Sequence, residues 1–301
     1  MRLVTYQDAA GAARLGALID KDAAIVDLHR AFTVTSGVDG AAFHSMQALI
    51  EAGERAWDTA RGLIEAAPDE ARVAAKDIRL LAPLPVPIQM RDFMVFEIHA
   101  SGSGQRQLPQ TWYDQPIYYK CNRFSVQGTE AEVRWPAYSS LIDYELELAM
   151  VIGKTGVDIP VERAAEHIFG YTIFNDFSAR DAQRAEMSCM LGPAKGKDFD
   201  GADCLGPCIV TADEINPYDL TMIARVNGEE WSRGQSGTMH HRFENMIAHV
   251  SQSETIYAGE IFGSGTVGRG CGAELGRYLD KGDTVELEIS GIGVLRNRVA
   301  A

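Results

Sequence analysis

Leu141-Ile142-Asp143-Tyr144-Glu145-Leu146-Glu147-Leu148-Ala149-Met150-Val151-Ile152-Gly153 decides how the rest of the chain is read. Apolar and acidic residues alternate from Asp143, the run then turns wholly apolar, and a glycine closes it. That is a strand signature. Residues two apart on a strand share a face. Glu145 and Glu147 therefore project together, with Asp143 in the same register, while Leu146 and Leu148 face the other way. A solvated face is the ordinary fate of such residues. Here the strand runs on into Ala-Met-Val-Ile, which reads as interior, and buried paired carboxylates need a cation or a proton. The stretch points to a divalent metal held by a buried sheet.

The bulk properties fit an acidic, globular chain. Its 301 residues suffice for one large domain or a small one plus a larger one, and at 46% apolar residues a sizeable core can be buried. The formal net charge of -14 argues against nucleic acid and anionic membrane surfaces as partners, though not against a small anionic substrate. The five cysteines (Cys121, Cys189, Cys204, Cys208 and Cys271) are scattered and form no CxxC pair, so reduced thiols and a cytoplasmic setting are expected. The opening MRLVTYQDAAG has no long apolar run, so no secretory signal is expected, and no stretch reaches membrane-spanning length.

Along the chain, Arg2–Tyr6, Arg14–Ile19 and Ala23–Leu28 read as short strands, and residues 40–67 take helical spacing. This makes a small N-terminal α+β domain over 1–80. The Pro-rich run Leu80–Pro87 discourages helix and central strand alike, which places the boundary there. Residues 81–301 form a larger, mainly β domain. Its expected strands are Pro116–Lys120, Phe124–Val126, the surroundings of Val133, Asp143–Ile152, Gly170–Asn175, Thr221–Val226, Thr284–Ile289 and Gly293–Val299. Asn227-Gly228 signals a hairpin into Glu229–Trp231, and Val161–Ile168 and Phe243–Ser251 read as helices. Ala100–Gln107, small and polar, has the composition of a mobile loop that covers an active site. Substrate specificity is expected from residues 100–118 and 232–245.

Four acidic residues can converge. Glu145 and Glu147 are joined by Asp176, just after the apolar run Tyr171–Phe174, and by Asp92, which follows the Pro-rich linker. Oxygen donors without nearby His or Cys select magnesium, manganese or calcium over zinc. An ion with four such ligands keeps about two open positions, which suit a bidentate 2-oxo acid or 1,3-diketone. The run Gly-Ser-Gly-Thr-Val-Gly-Arg-Gly lacks the strand-to-helix context of a dinucleotide loop, so a Rossmann reading is rejected. His240-His241, in a Gly/Thr/Met loop, read as exposed or substrate-adjacent, and Arg180 has Asp176 and Asp181 as ready partners.

The segments DYELELAMVIGK, GYTIFNDFSARDAQ, KGKDFDGADCLGP, AGEIFGSGTVGRG and GIGVLRNRV, in this order over about residues 80–301, resemble the fumarylacetoacetate hydrolase family. The resemblance implies an α+β, mainly β fold with a twisted mixed β-sheet roll, and a homodimer. It implies a magnesium cofactor, with calcium or manganese as alternatives, on Asp92, Glu145, Glu147 and Asp176. It makes His99 a general base, Glu274 its acidic partner and Lys197 the lysine of the metal site. Tyr119, Arg180, Gln183 and Thr266 become substrate-binding residues. The expected reaction is hydrolysis of a C–C bond in a 1,3-dicarbonyl or acylpyruvate-type 2-oxo acid, with water activated by His99. Decarboxylation of an oxaloacetate-type acid, or enol–keto tautomerisation, is the alternative on the same site. Glu97, two residues before His99, offers a second acid nearby.

Overall fold

The computed structural model describes residues 1–300. Its architecture is mixed α/β and mainly sheet. A large mixed sheet of twelve strands runs in the order Arg72–Ala74, Ala24–Asp27, Ala13–Ile19, Arg2–Gln7, Asp203–Thr211, Ile168–Asp176, Leu146–Ile152, Ile261–Gly263, Met90–Phe93 and Tyr118–Lys120, with two short strands beside this path. A second sheet of five strands comprises Glu229–Gln235, Thr221–Val226, Thr284–Ile289, Gly293–Val299 and Glu132–Val133. The strand Arg2–Gln7 pairs antiparallel with Asp203–Thr211, so the N-terminal strands are hydrogen-bonded into the sheet that carries the acidic residues.

The strand Leu146–Ile152 is buried on both faces, which explains its near-continuous apolar sequence. Leu146, Leu148, Met150 and Ile152 pack into a core shared with Met222, Leu287 and Leu295 of the second sheet. On the opposite face, Ala149 and Val151 pack with Leu49 and Ile50 of the N-terminal helices. Glu145 and Glu147 lie on that same face, at the other end of the run. The pattern repeats on nearby strands. Met90 and Phe174 enter the same core, and the residues two positions further along are Asp92 and Asp176. Period-two alternation thus brings three strands' carboxylates to one end of one sheet face.

Several local expectations are corrected. The expected strand Asp143–Ile152 is broken: Ile142–Asp143 pairs with Ser178–Ala179, and Glu145 bridges to Cys271 before Leu146–Ile152 begins. Residues 40–67, read as helical in spacing, hold two α-helices, Met46–Ala52 and Glu54–Ala66, parted at Gly53, whose φ of 74° ends the first. Leu28 opens a helix, Leu28–Ser36, capped by the Asp27 side chain rather than closing a strand. Val161–His167 is a 3₁₀ segment, and Ile168 already belongs to the next strand. Asp203–Thr211, Met90–Phe93 and Ile261–Gly263 are strands that the sequence reading did not identify. The hairpin at Asn227-Gly228 has both φ values positive, at 52° and 81°, as a type I′ turn requires. None of the five cysteines is in a disulfide, and no helix among the described residues is long and apolar enough to cross a membrane.

Next to Asp92, the buried Arg91 guanidinium pairs with Glu260, also buried, and with Glu254. Removing one partner of a buried pair leaves a charge without compensation. Arg91→Ala is expected to destabilise the protein by about 3–5 kcal/mol. This would appear as a lower urea midpoint at unchanged slope. An unchanged midpoint would show that water reaches Glu260 and replaces the pair.

Candidate active site

Asp92, Glu145, Glu147 and Asp176 each offer an oxygen within 4.8 Å of the others, and all four residues are buried. Between the strands of Glu147 and Asp92 runs Ile261–Gly263, whose Gly263 stands opposite Asp92 in register. A Cβ at Gly263 would lie 2.7 Å from Asp92 Oδ1 and 3.1 Å from Glu147 Oε2, so the glycine leaves the clearance the carboxylates occupy. Gly263→Ala is expected to weaken manganese binding by about 10–100-fold, the usual effect of disturbing the surroundings of metal ligands. Calorimetric titration checks this, and undiminished affinity would mean the clearance is dispensable.

The electrostatics are those of a site short of positive charge. Burial and the neighbouring Asp176 push Asp92 up to about 8. Burial pushes Asp176 up to about 6, against the pull of Lys197. Burial and then Asp92 raise Glu147 well above the carboxylate range. Burial also acts on Glu145, but Lys197 and then Arg180 outweigh it and hold Glu145 well below that range. The Lys197 ammonium donates to Glu145 Oε2 and, at 2.5 Å, to Asp176 Oδ2. The Tyr119 hydroxyl also donates to Asp176 Oδ2, and Thr266 Oγ1 donates to Glu147 Oε1 at 3.3 Å. Two oxygens, Glu147 Oε2 and Asp176 Oδ1, are buried with no hydrogen-bond partner among the described residues. Orphaned carboxylate oxygens in an all-oxygen cluster fit a hard divalent cation.

Asp143 is not part of this cluster. It accepts from the backbone N–H of Gly272 and Ala273, at 2.7 and 2.9 Å, and from Arg180 Nε at 2.9 Å. Arg180 lies between it and Glu145. Arg180 also lies 2.8 Å from Glu145 Oε1 and donates to Gln183 Oε1 at 3.0 Å. Its partners are therefore Asp143 and Glu145, not Asp176 or Asp181. It steadies Glu145 and orients Gln183.

His99 sits in the short helix Glu97–Ala100. Its Nδ1 lies 2.8 Å from Glu274 Oε2. A carboxylate accepts, so in the neutral imidazole it is Nδ1 that carries the proton, which leaves the lone pair to Nε2. Burial pushes Glu274 up, but the hydrogen bond from His99 and further donors leave it below the usual range, and hence ionised. Glu97 accepts from the Tyr113 hydroxyl at 2.8 Å and is exposed, away from this pair. Ser103, in the turn after the helix, donates to Glu274 Oε1 at 3.1 Å, which ties the 100–107 segment to the same carboxylate.

His99, Asp92, Glu145, Glu147, Lys197, Tyr119, Thr266 and Gln183 line one cavity of about 210 Å³. An adjoining cleft of about 730 Å³ reaches from His99 past Glu274 and Arg180 to Arg106. Ile117 and Tyr118, within the expected specificity segment 100–118, also line it, whereas no residue of 232–245 does; Met94, Met187, Gly192 and Pro193 line it without having been expected. Met190 and Leu191, in the same segment as Met187 and Gly192, are 95% and 80% exposed. His241, expected to be exposed or near substrate, is buried and hydrogen-bonded to the Trp112 carbonyl.

Residues 90–300 match the family described as Fumarylacetoacetate (FAA) hydrolase C-terminal. A human mitochondrial oxaloacetate tautomerase is 39% identical over 189 residues, 62% of this chain and only 59% of that relative's length. A mitochondrial oxaloacetate tautomerase of Xenopus laevis is 31% identical over 302 residues, covering 99% of this chain and 90% of the relative. Among solved structures, the maleylpyruvate hydrolase of Sphingobium sp. SYK-6, in complex with manganese(II) and pyruvate, superposes with a TM-score of 0.76 at 25% identity. That match covers 100% of this chain and 99% of the other.

Proposed function

The chain belongs to the fumarylacetoacetate hydrolase family, and on that footing we propose that it interconverts the keto and enol forms of a short 2-oxo dicarboxylic acid of the oxaloacetate class. His99 carries the proton. The observation behind this reading is the His99–Glu274 pair opening on the cavity that four converging carboxylates line or back. Asp92, Glu145, Glu147 and Asp176 would hold magnesium, or manganese or calcium in its place. Such a cation, when bound, supplies Lewis-acid polarisation of the substrate's oxygens. The unprotonated Nε2 of His99 takes a proton from the carbon next to the carbonyl. The ionised Glu274 stabilises the imidazolium that results. The proton then passes to the former carbonyl oxygen, so nothing is gained or lost overall. Lys197, kept charged by Asp176 and Glu145, offsets the negative charge that grows on that oxygen.

The cavity's volume, about 210 Å³, lies below the roughly 300–1,000 Å³ of pockets for drug-sized ligands. That supports a compact substrate. The two tautomerase relatives, at 39% and 31% identity, support the reaction class. C–C bond hydrolysis of an acylpyruvate is the second reading. The same base would draw its proton from water, and the likeness to a maleylpyruvate hydrolase and the cleft beside His99 favour it. A homodimer, with a small-molecule substrate as the only ligand besides the cation, completes the proposal. The test follows ultraviolet absorbance of enol-oxaloacetate and of maleylpyruvate side by side, with manganese present. Faster loss of the enol, with maleylpyruvate untouched, is expected. Turnover of maleylpyruvate alone would replace the first reading by the second.

A further inference from the structure

We propose that His99, Cys271 and Glu274 form a second metal site that captures zinc and thereby switches off proton transfer by His99. The inhibition rests on the reading of His99 given above; the binding does not. The three residues each offer a ligand atom within 4.8 Å of the others. Glu274 Oε2 is 2.8 Å from His99 Nδ1 and 3.5 Å from Cys271 Sγ. Tetrahedral zinc, with bonds of about 2.0–2.3 Å to nitrogen, oxygen and sulfur, holds its donors about 3.3–3.8 Å apart. Shifts of under about one ångström therefore convert the hydrogen-bonded group into three legs of a zinc site, with water as the fourth ligand.

The donor types set this group apart from its neighbour. The four-carboxylate cluster is all oxygen and suits hard cations, whereas nitrogen, sulfur and a single carboxylate suit zinc. Cys271 is buried, yet it lies on the wall of the cleft of about 730 Å³, as do His99 and Glu274. An ion arriving through that cleft meets all three. Binding expels the thiol proton to solvent and breaks the Nδ1–H···Glu274 bond. An imidazole with a metal on Nδ1 carries its proton on Nε2, so the lone pair that faces substrate is lost. The dyad and the zinc site thus use the same atoms and exclude each other.

The test uses the whole protein with its carboxylate centre filled by excess magnesium. Cobalt(II) is added as a spectroscopic stand-in for zinc. A thiolate-to-cobalt charge-transfer band is expected in the wild type, lost when zinc is added. The band should vanish in Cys271→Ala and persist in Cys189→Ala, which removes the exposed thiol. The exposed His29–Asp39–His44 group has no sulfur and cannot produce this band. In the activity arm, micromolar zinc should inhibit the wild type. Cys271→Ala should keep its zinc-free rate and resist zinc by at least about 10-fold, the loss that even indirect changes around a metal cause. Cys271→Ser, closest in shape, repeats both arms should the alanine variant not fold. A band that survives both Cys271 substitutions, no band at all, or equal zinc inhibition of wild type and variant would overturn the proposal. If the band appears but no keto–enol activity exists, the zinc site stands and the function proposed above fails.

Discussion

His99→Ala is expected to lower the rate of keto–enol interconversion by about 10²–10⁴-fold, the range for losing a positioned acid–base group. Manganese affinity should stay nearly unchanged, because the proposed metal-site oxygens belong to Asp92, Glu145, Glu147 and Asp176 and not to this residue. Glu97 cannot step in for His99: its carboxylate is held by the Tyr113 hydroxyl, 2.8 Å away, on the exposed side. The check is a pair of measurements on one preparation, initial rate and calorimetric metal affinity. A variant that keeps the wild-type rate would remove His99 from the chemistry. One that loses rate and metal affinity together would make the histidine part of the metal's support rather than the proton carrier.

Glu147→Ala should abolish divalent-cation-dependent activity, since it removes a wholly buried proposed ligand whose Oε2 has no partner among the described residues. It should also erase metal-dependent stabilisation. For the wild type, a cation at 100 times its dissociation constant adds about 2.7 kcal/mol; the variant should show almost none of it. Activity that persists in the variant, or in the wild type with a chelator, would contradict the metal role. The same cluster sets a pH dependence. Asp92 and Asp176 are raised to about 8 and about 6 in the folded protein, against about 3.9 for an unperturbed Asp. The folded state therefore binds more protons than the unfolded one between these values. The stability they confer is complete below about pH 4 and is lost as pH rises towards 8. Metal-free protein should lose thermal stability from pH 5 to pH 8, and saturating manganese should flatten the slope.

The carboxylate cluster was legible because strand alternation is local. Once Glu145 and Glu147 share a face, and the apolar run Tyr171–Phe174 likewise leads into Asp176, burial follows from the Ala-Met-Val-Ile that continues the run. Asp143 follows the same alternation, since Ile142, Tyr144, Leu146 and Leu148 all enter one core. Its carboxylate is instead taken up by Arg180 and by the backbone N–H groups of Gly272 and Ala273, partners that spacing along one strand does not reveal. Asp203–Thr211 escaped because Gly206-Pro207 reads as a turn, although Pro207 lies within a strand of the sheet. Met90–Phe93 and Ile261–Gly263 are four and three residues long, too short to display a period. The wall at Met187–Pro193 was hidden for another reason. Its apolar side chains serve a cavity rather than a core, and nothing in their spacing says which chain segments lie opposite.

The central claim is that this site moves a proton on carbon and leaves the carbon skeleton whole. Proton nuclear magnetic resonance of oxaloacetate in deuterium oxide, with manganese replaced by diamagnetic magnesium, tests it most directly. With wild-type protein, deuterium should enter the carbon beside the carbonyl faster than in buffer, with no extra pyruvate, and His99→Ala should fall back to the buffer rate. Pyruvate and carbon dioxide accumulating in step with enzyme, with no excess deuterium in the remaining oxaloacetate, would contradict the account and assign the site to decarboxylation.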